Sequence, residues 1–221
     1  MKRSVTFTVL LALISTWCLS CAVVDGFGVE GSGNVITEER EVSDFNEIAL
    51  SGSGVVNVEV TGTESLTIEA EDNIMPELET VVRGGRLDLE TRRSIQPTTE
   101  IVYTITAASL DSIILSGSGA VTVDGVDTTD FSTDISGSGS VAVSGSASGS
   151  LTLIISGSGA FDGEDLTAVE GRVDVSGSGR AVVNVSDDLV ISLSGSGAIE
   201  YIGSPTVEVD KSGSGIVTQR D

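Results

Sequence analysis

The chain has 221 residues, of which 33 are acidic, 11 are basic and none is histidine, so its formal charge is −22. This balance repels phosphate backbones and anionic membrane surfaces, which argues against nucleic-acid binding. The absence of histidine excludes Ser-His-Asp and Cys-His catalysis and any imidazole metal site. The length suits one large domain, and a hydrophobic share of 39% is enough for a core.

The first 22 residues are predicted to be an export signal. Lys2 and Arg3 form a basic start, and an apolar run extends from Val5 to Trp17. A membrane span needs about 20 apolar residues, and this run is shorter and is interrupted by Ser15 and Thr16. We therefore expect the protein to be exported to the cell envelope, either to the outer surface or to the periplasm.

Two processing routes fit the end of the signal. Leu19-Ser20-Cys21 resembles a bacterial lipobox, in which Cys21 takes a lipid, but Cys18 stands where Leu, Val or Ile is usual. Ordinary cleavage after Ala22 is the alternative. Both routes deliver a body free of thiols, which suits an oxidising compartment. Contact with a membrane is expected only through a lipid on Cys21.

The tetrapeptide Ser-Gly-Ser-Gly organises the rest of the chain. It occurs seven times and holds 14 of the 27 glycines. From Ser116 onward its copies are spaced by 20, 20, 20, 18 and 18 residues, whereas 65 residues, about three periods, separate Ser51 from Ser116. A fixed period near 20 residues is typical of a solenoid. The glycines predicted to form one turn at every level are Gly52, Gly54, Gly117, Gly119, Gly137, Gly139, Gly157, Gly159, Gly177, Gly179, Gly195, Gly197, Gly213 and Gly215.

Apolar residues alternate on both sides of each tetrapeptide. They stand one and three residues before its first serine and five and seven residues after it, as Ile113, Leu115 and Val121 do. Alternation with period two, mostly in β-branched residues, predicts strands with one buried face. In the last copy Lys211 and Gln219 replace two of these residues, as expected for a terminal coil that blunts its exposed edge.

Two all-β architectures fit this pattern, namely antiparallel hairpins in a sandwich or barrel and a parallel β-helix. The strict period favours a parallel, right-handed β-helix with coils of 18–20 residues, because equivalent residues then stack about 4.8 Å apart. Stacked serine hydroxyls are expected to bond along the ladder or to the turn backbone. A helix is expected only between Asn73 and Val82, where Pro76 limits its length.

Short motifs outside the repeat carry a family resemblance. They are Gly31-Ser32-Gly33-Asn34, Glu39 to Ile48, Leu66 to Ala70, Asp72 to Pro76 and Gly84 to Leu87. Together with the tetrapeptide coils they resemble the head-GIN domain family of bacterial auto-transporter adhesins. The resemblance covers residues 30–217 and implies a β-helical domain over that range at the cell envelope. It implies no catalytic residues.

Catalytic and metal-binding chemistry find little support in the remaining residues. The tetrapeptide lacks the helix and the lysine that accompany phosphate-binding loops. The acidic turns 124–130 and 162–165 match neither the EF-hand loop nor the GGxGxD nonapeptide repeat. We therefore expect weak Ca²⁺ binding at most, with no dedicated metal site and no cofactor. Adjacent carboxylates such as Asp187 and Asp188 point to opposite faces of a strand, and aromatic platforms for sugars are scarce. No enzyme activity is predicted.

Four arginines, Arg83, Arg86, Arg92 and Arg93, form a cationic cluster in the section that lacks the tetrapeptide. One interpretation is a docking patch for an acidic partner or for the acidic coils of a second copy, which would make the protein a homo-oligomer. The alternative is local charge balance against neighbouring acidic residues, which are Glu77, Glu79, Asp88 and Glu90.

The sequence therefore predicts an exported, non-catalytic interaction module in which a rigid stack of coils presents side chains to an envelope or surface partner. A passive acidic envelope component without a specific ligand is the alternative. A polysaccharide-active β-helix enzyme is the third and least supported hypothesis.

Overall fold

The computed structural model describes residues 28–220, which form a parallel β-solenoid, so the predicted fold class is confirmed. The predicted signal segment and Cys21 lie outside the described residues. Among the described residues, no helix is long and apolar enough to cross a membrane. The strands are β1 (Val29–Glu30), β2 (Val35–Arg40), β3 (Glu47–Gly52), β4 (Val55–Val60), β5 (Ser65–Glu71), β6 (Leu78–Arg83), β7 (Arg86–Thr91), β8 (Ile95–Gln96), β9 (Val102–Ala107), β10 (Ser112–Gly117), β11 (Ala120–Thr128), β12 (Phe131–Gly137), β13 (Ser140–Gly157), β14 (Ala160–Gly177), β15 (Arg180–Gly195), β16 (Ala198–Ile202), β17 (Thr206–Gly213) and β18 (Ile216–Gln219).

The seven tetrapeptides stack in register along one edge of the solenoid. Ser51 lies opposite Ser116, and each later first serine lies opposite the next, ending with Ser194 and Ser212. The strands before the tetrapeptides form a first wall, and those after them form a second wall with the same parallel pairing. Parallel pairing of consecutive coils excludes the antiparallel sandwich or barrel. The strict period thus reflects coils that repeat the same backbone path.

The core lies between the two walls and is made by the predicted apolar columns. Phe131 and Phe161 are fully buried at inward positions, and so are the column residues of the middle coils. In the last coil the inward Val209 is 45% exposed, and Lys211 and Gln219 are exposed as well. The expected loss of the apolar pattern in the terminal coil is therefore confirmed.

The 65 residues between the first two tetrapeptides do not form three further coils, contrary to the spacing estimate. β3 pairs directly with β10, and β7 and β9 add one level beyond β3 and β4. Three antiparallel strands, β2, β5 and β6, then complete this end, which we call the N-terminal cap. The chain reverses between β6 and β7 at Gly84-Gly85, both with positive φ, as in a two-residue hairpin. A repeat period cannot reveal such reversals.

The helix predicted between Asn73 and Val82 is shorter than expected. Only Met75–Glu77 form a helix, of the 3₁₀ type, with Pro76 in its first turn. The following residues form β6, because Leu78 packs into the core and the strand pairs with β7.

The two glycines of each tetrapeptide have different roles. The first, such as Gly137, has a positive φ of 127°, a conformation that L side chains rarely adopt. The second, such as Gly139, is buried, and a Cβ there would lie 2.5 Å from the Gly119 carbonyl oxygen. Backbone amides form the ladder across the turns, as Ser138 does to the Gly117 oxygen at 2.9 Å.

The tetrapeptide serines do not form the expected hydroxyl ladder. Their side chains are exposed on the outer edge, in two columns. Among the described hydrogen bonds, the hydroxyl of Ser136 is the one that finds a protein acceptor, Asp134 Oδ1 at 3.3 Å. The turns are therefore held by backbone hydrogen bonds, and the hydroxyls face solvent.

Replacing Thr133 by valine is expected to stabilise the protein. Thr133 occupies an inward position between Ile113 and Leu153 of the adjacent coils, and its hydroxyl is buried without a hydrogen-bond partner. Thr133→Val keeps the shape and removes the desolvated hydroxyl, so the free energy of unfolding should rise by about 1–3 kcal/mol in urea titrations. Thr152→Val on the outward side of the same wall is the control, and an unchanged or lowered stability of Thr133→Val would contradict the assignment.

Candidate functional site

The four predicted arginines lie together at the N-terminal cap. Arg83 ends β6 and Arg86 begins β7, so the glycine hairpin between them brings both to one edge. Arg92 and Arg93 directly follow β7. Their side chains are between 43% and 66% exposed. The fold thus assembles the cluster that the sequence singled out.

Asp88 is the buried acid at the centre of this cluster. It lies on the outer side of β7, only 3% exposed. Arg86 Nε donates to its Oδ1 at 2.6 Å, and Arg83 Nη1 donates to its Oδ2 at 2.9 Å. Burial acts to raise the pKa of Asp88, but the hydrogen bonds from Arg86 and Arg83 and the attraction of their charges together lower the pKa. The same contact, foremost the hydrogen bond to Asp88, raises the pKa of Arg86.

The other two arginines also have acidic neighbours. Arg93 Nη2 lies 2.7 Å from Glu77 Oε1, and the Glu77 side chain is largely buried. Arg92 Nε lies 3.9 Å from Glu79 Oε2, and Arg83 Nη2 lies 3.9 Å from Glu79 Oε1. The arginines therefore balance the charges of their acidic neighbours, as the second interpretation expected. Their side chains are also exposed to solvent, and docking of a partner there stays a prediction.

A fifth arginine, Arg40, closes the end of the core. It ends β2, and its guanidinium spans to the opposite wall, donating to Leu78 O at 2.8 Å and Met75 O at 3.1 Å. Its Nε also donates to Glu38 Oε1 at 2.7 Å. Sequence alone does not mark Arg40 as a functional residue, and its one signal there is that it stands as a lone cation among glutamates.

Glu71 fastens the first described residues to the cap. Its side chain is 1% exposed and accepts from the Gly33 amide at 2.7 Å, from the Thr98 amide at 2.9 Å and from the Thr98 hydroxyl. The Thr98 hydroxyl is the largest influence on the pKa of Glu71, which falls below its usual value although burial acts to raise it. A Cβ at Gly31 would overlap this carboxylate. Packing therefore requires glycine at position 31, whereas Gly33 has open space around it and a positive φ of 78°.

The neighbouring Asp72 holds the same segment from its other side. The Ser32 hydroxyl donates to Oδ1 at 2.5 Å and the Asn34 amide to Oδ2 at 2.9 Å, and these two bonds lower the pKa of Asp72. Asn73 adds a hydrogen bond from its side-chain amide to Glu30 O at 2.7 Å. Motifs 40 residues apart in sequence thus form one fastening, which only the tertiary structure brings together.

Acid is expected to loosen this fastening. The folded-state pKa values of Glu71 and Asp72 lie below their ordinary values of 4.5 and 3.8. Their contribution to stability is therefore present above those ordinary values and is lost as the pH falls through the folded-state values. The free energy of unfolding, measured by urea titration at pH 7 and at pH 3, should fall less between the two pH values for Glu71→Gln than for the unchanged chain. The exposed Glu170→Gln is the control, and an equal drop in all three proteins would contradict the assignment.

The acidic turns do not converge on a cation site. Among residues 28–220, no group of three or more acidic side chains is placed to hold a metal ion. In the first turn, Asp130 accepts from the Ser150 amide and hydroxyl, and these contacts lower the pKa of Asp130. In the second, Glu164 Oε2 lies 2.9 Å from Arg220 Nη1. Carboxylates in both turns thus satisfy local contacts.

Solved structures with this fold include proteins of Bacteroides and Parabacteroides species. A putative adhesin of Bacteroides fragilis is 23% identical, with a TM-score of 0.71 over 87% of this chain and 100% of that chain. A putative adhesin of Parabacteroides distasonis is 20% identical, with a TM-score of 0.58 over the same shares. A second protein of that organism, described as a putative lipid binding protein, is 20% identical with a TM-score of 0.51, over 87% of this chain and 99% of that chain. At these identities the likeness concerns the fold alone.

Sequence comparison adds the family. No functionally curated protein matches the chain. The family model described as "Putative auto-transporter adhesin, head GIN domain" matches residues 44–205, which is most of the chain and all of its regular middle coils. The chain therefore belongs to the head GIN domain family, whose model carries that description.

Proposed function

We propose that this protein is an exported, non-catalytic solenoid that presents an interaction surface at the bacterial cell envelope. The observation that carries the proposal is the register of the seven tetrapeptides, which fixes every outward column at one spacing along the stack. Outward side chains thus recur about every 4.8 Å on a rigid wall. Such a wall binds an extended partner through many weak contacts, which add up when they form together.

Four further observations support a binding role over catalysis. The chain has no histidine, and its acidic turns are engaged in local contacts. Its family and two of the similar solved structures are described as putative adhesins. The walls of the middle coils offer shallow, open grooves, such as the one of about 270 Å³ beside Ile154 and Asp174. A flat, repetitive wall suits a macromolecular partner better than a small substrate.

Export and location are tested by protease treatment of intact cells. Because the described chain is nearly continuous β-structure, a protease recognition sequence is inserted between Ser204 and Pro205, in the exposed link before β17. Cleavage in intact cells would place the protein on the surface and support adhesion. Cleavage only after the outer membrane is permeabilised would place it in the periplasm and exclude direct adhesion. Protection until the inner membrane is broken would overturn the proposed export, and cleavage of the purified variant is the control.

A further inference from the structure

Both ends of the solenoid expose apolar side chains on strands with a free edge. Val35 and Ile36 lie on β2 in the N-terminal cap, and Val209 and Ile216 lie on β17 and β18 in the last coil. These four are most of the large apolar residues that are exposed among residues 28–220. In that part of the chain β2, β6, β17 and β18 each pair on one side only. Free strand edges of this kind are templates for another chain.

We propose that the last coil of one copy, formed by β17 and β18, docks on the N-terminal cap of a second copy, whose free edges are β6 and β2. We call these two surfaces the tail and the head. At the head the second wall ends one strand spacing, about 4.8 Å, beyond the first. The second copy is therefore tilted against the stack axis when β17 meets β6 in the first wall and β18 meets β2 in the second wall. The inference goes beyond the proposed envelope function and does not depend on it.

Strand direction is compatible with this contact. β6 runs antiparallel to β7, which is parallel to the coils, so β17 adds to β6 as an antiparallel neighbour. β2 is antiparallel to β5, which is antiparallel to β9, so β2 runs with the coils and β18 adds to it in parallel. The second contact can place Ile216 and Val217 beside Val35 and Ile36.

Charge is complementary between head and tail in the first wall. The outward side of β17 carries Glu208 and Asp210, and the outward side of β6 ends in Arg83. When antiparallel pairing sets Glu208 opposite Arg83, Val209 falls opposite the half-buried Val82. Opposite charges and apolar pairs across strands each favour pairing. The arginine cluster thus gains an acidic partner, the tail of a second copy.

The inward-facing Lys211 fits the same register. Pairing of Glu208 with Arg83 sets Lys211 opposite Thr80, at a groove of about 420 Å³ that runs between β2 and β6. Glu38 and Glu79 line this groove together with Arg40, Arg92 and apolar residues. Glu38 already pairs with Arg40, and Glu79 lies near Arg83 and Arg92. The ammonium group, on leaving its present acceptor, Gly215 O at 3.0 Å, would share these carboxylates with the arginines.

Like ends repel each other. Tail-to-tail pairing would bring Glu208 and Asp210 against the same residues of the partner, with Lys211 facing inward on both sides. Like charges directly opposite each other destabilise strand pairing. The favoured contact is therefore heterologous, and such contacts extend into open chains of copies.

Complementary charge reversals test the contact. In Glu208→Arg, positions 83 in the head and 208 in the tail are both basic. In Arg83→Glu, the same two positions are both acidic. Each variant alone should lose the concentration-dependent association of the unchanged chain in sedimentation velocity, with the dissociation constant raised about tenfold or more. An equimolar mixture should associate again, because each variant supplies the end that the other lacks. Recovery on mixing cannot come from misfolding, and Glu170→Arg in the middle of the stack is the control.

Cysteine pairing gives an independent readout. The described body contains no cysteine, and β6 and β17 are eight strand spacings apart, or about 38 Å, which excludes a bond within one copy. A chain with both Arg83→Cys and Glu208→Cys should form a ladder of disulfide-linked species on mild oxidation. Glu208→Cys alone should stay without a ladder. A monomeric unchanged chain at all concentrations, a mixture that fails to associate, or efficient dimers of Glu208→Cys alone would overturn the proposal.

Discussion

Leu153→Asp should abolish the cooperative unfolding transition of this protein. Leu153 is fully buried in the first wall, stacked between Thr133 and Val173 of the adjacent coils. A carboxylate there has no partner and costs several kcal/mol to bury, which is comparable with a whole domain's stability of about 5–15 kcal/mol. Because each coil rests on its neighbours, the defect should spread along the stack. Circular dichroism during a urea titration measures the loss.

The matched control introduces the same charge at a turn. Ser148 is exposed at the corner of the same pair of coils, and its hydroxyl makes one long contact, 3.4 Å to Thr128 O. Ser148→Asp should leave the unfolding midpoint nearly unchanged. Equal behaviour of the two variants would show that the assignment of inward columns is wrong.

Gly137→Ala should cause the second largest loss of stability, because it disturbs the contact between two coils. A Cβ at Gly137 would lie 2.5 Å from the Gly117 carbonyl oxygen. That oxygen cannot easily move, since it accepts from the Ser138 amide at 2.9 Å and the Gly139 amide at 3.0 Å. The positive φ of Gly137 adds strain of about 1–3 kcal/mol for any L residue. Thermal unfolding of the purified chain measures the sum of both effects.

Gly52→Ala separates the two contributions. Gly52 has nearly the same backbone conformation, with φ of 120°, but nothing lies within 4 Å of its added Cβ. It is the first glycine of the first tetrapeptide, where no earlier tetrapeptide covers the turn. We expect Gly52→Ala to be destabilised by backbone strain alone. Gly137→Ala should lose about 1–3 kcal/mol more of stability, because its Cβ is forced against the neighbouring coil. Equal losses would mean that backbone strain alone decides the need for glycine.

The repeat was readable from sequence because each coil obeys the same local rules. Alternation of apolar residues marked Ile113 and Leu115 as inward, and the fixed spacing fixed the parallel stacking. The exposed terminal coil was likewise visible in Lys211 and Gln219. A solenoid repeats one environment, so a pattern seen at one level predicts the others.

The N-terminal cap was less readable because its strands leave the repeat. The hairpin at Gly84-Gly85 reverses the chain, and the segment that the period suggested as three coils becomes one level and three antiparallel strands. The contacts of Arg40 and Glu71 join residues about 27 to 40 positions apart. Such pairs leave no periodic signal, since each occurs once.

The sequence by itself determined the fold class, the inward columns and the grouping of the four arginines, because these follow from periodicity and composition. Only the tertiary structure decided how the chain ends its stack. It placed Arg83 and Arg86 on the buried Asp88, wrapped Glu71 in amide and hydroxyl donors, and left free edges on β2, β6, β17 and β18. The physical reason is that repeated coils satisfy one another's backbone groups locally, whereas the two ends must find partners elsewhere in the chain or in another molecule.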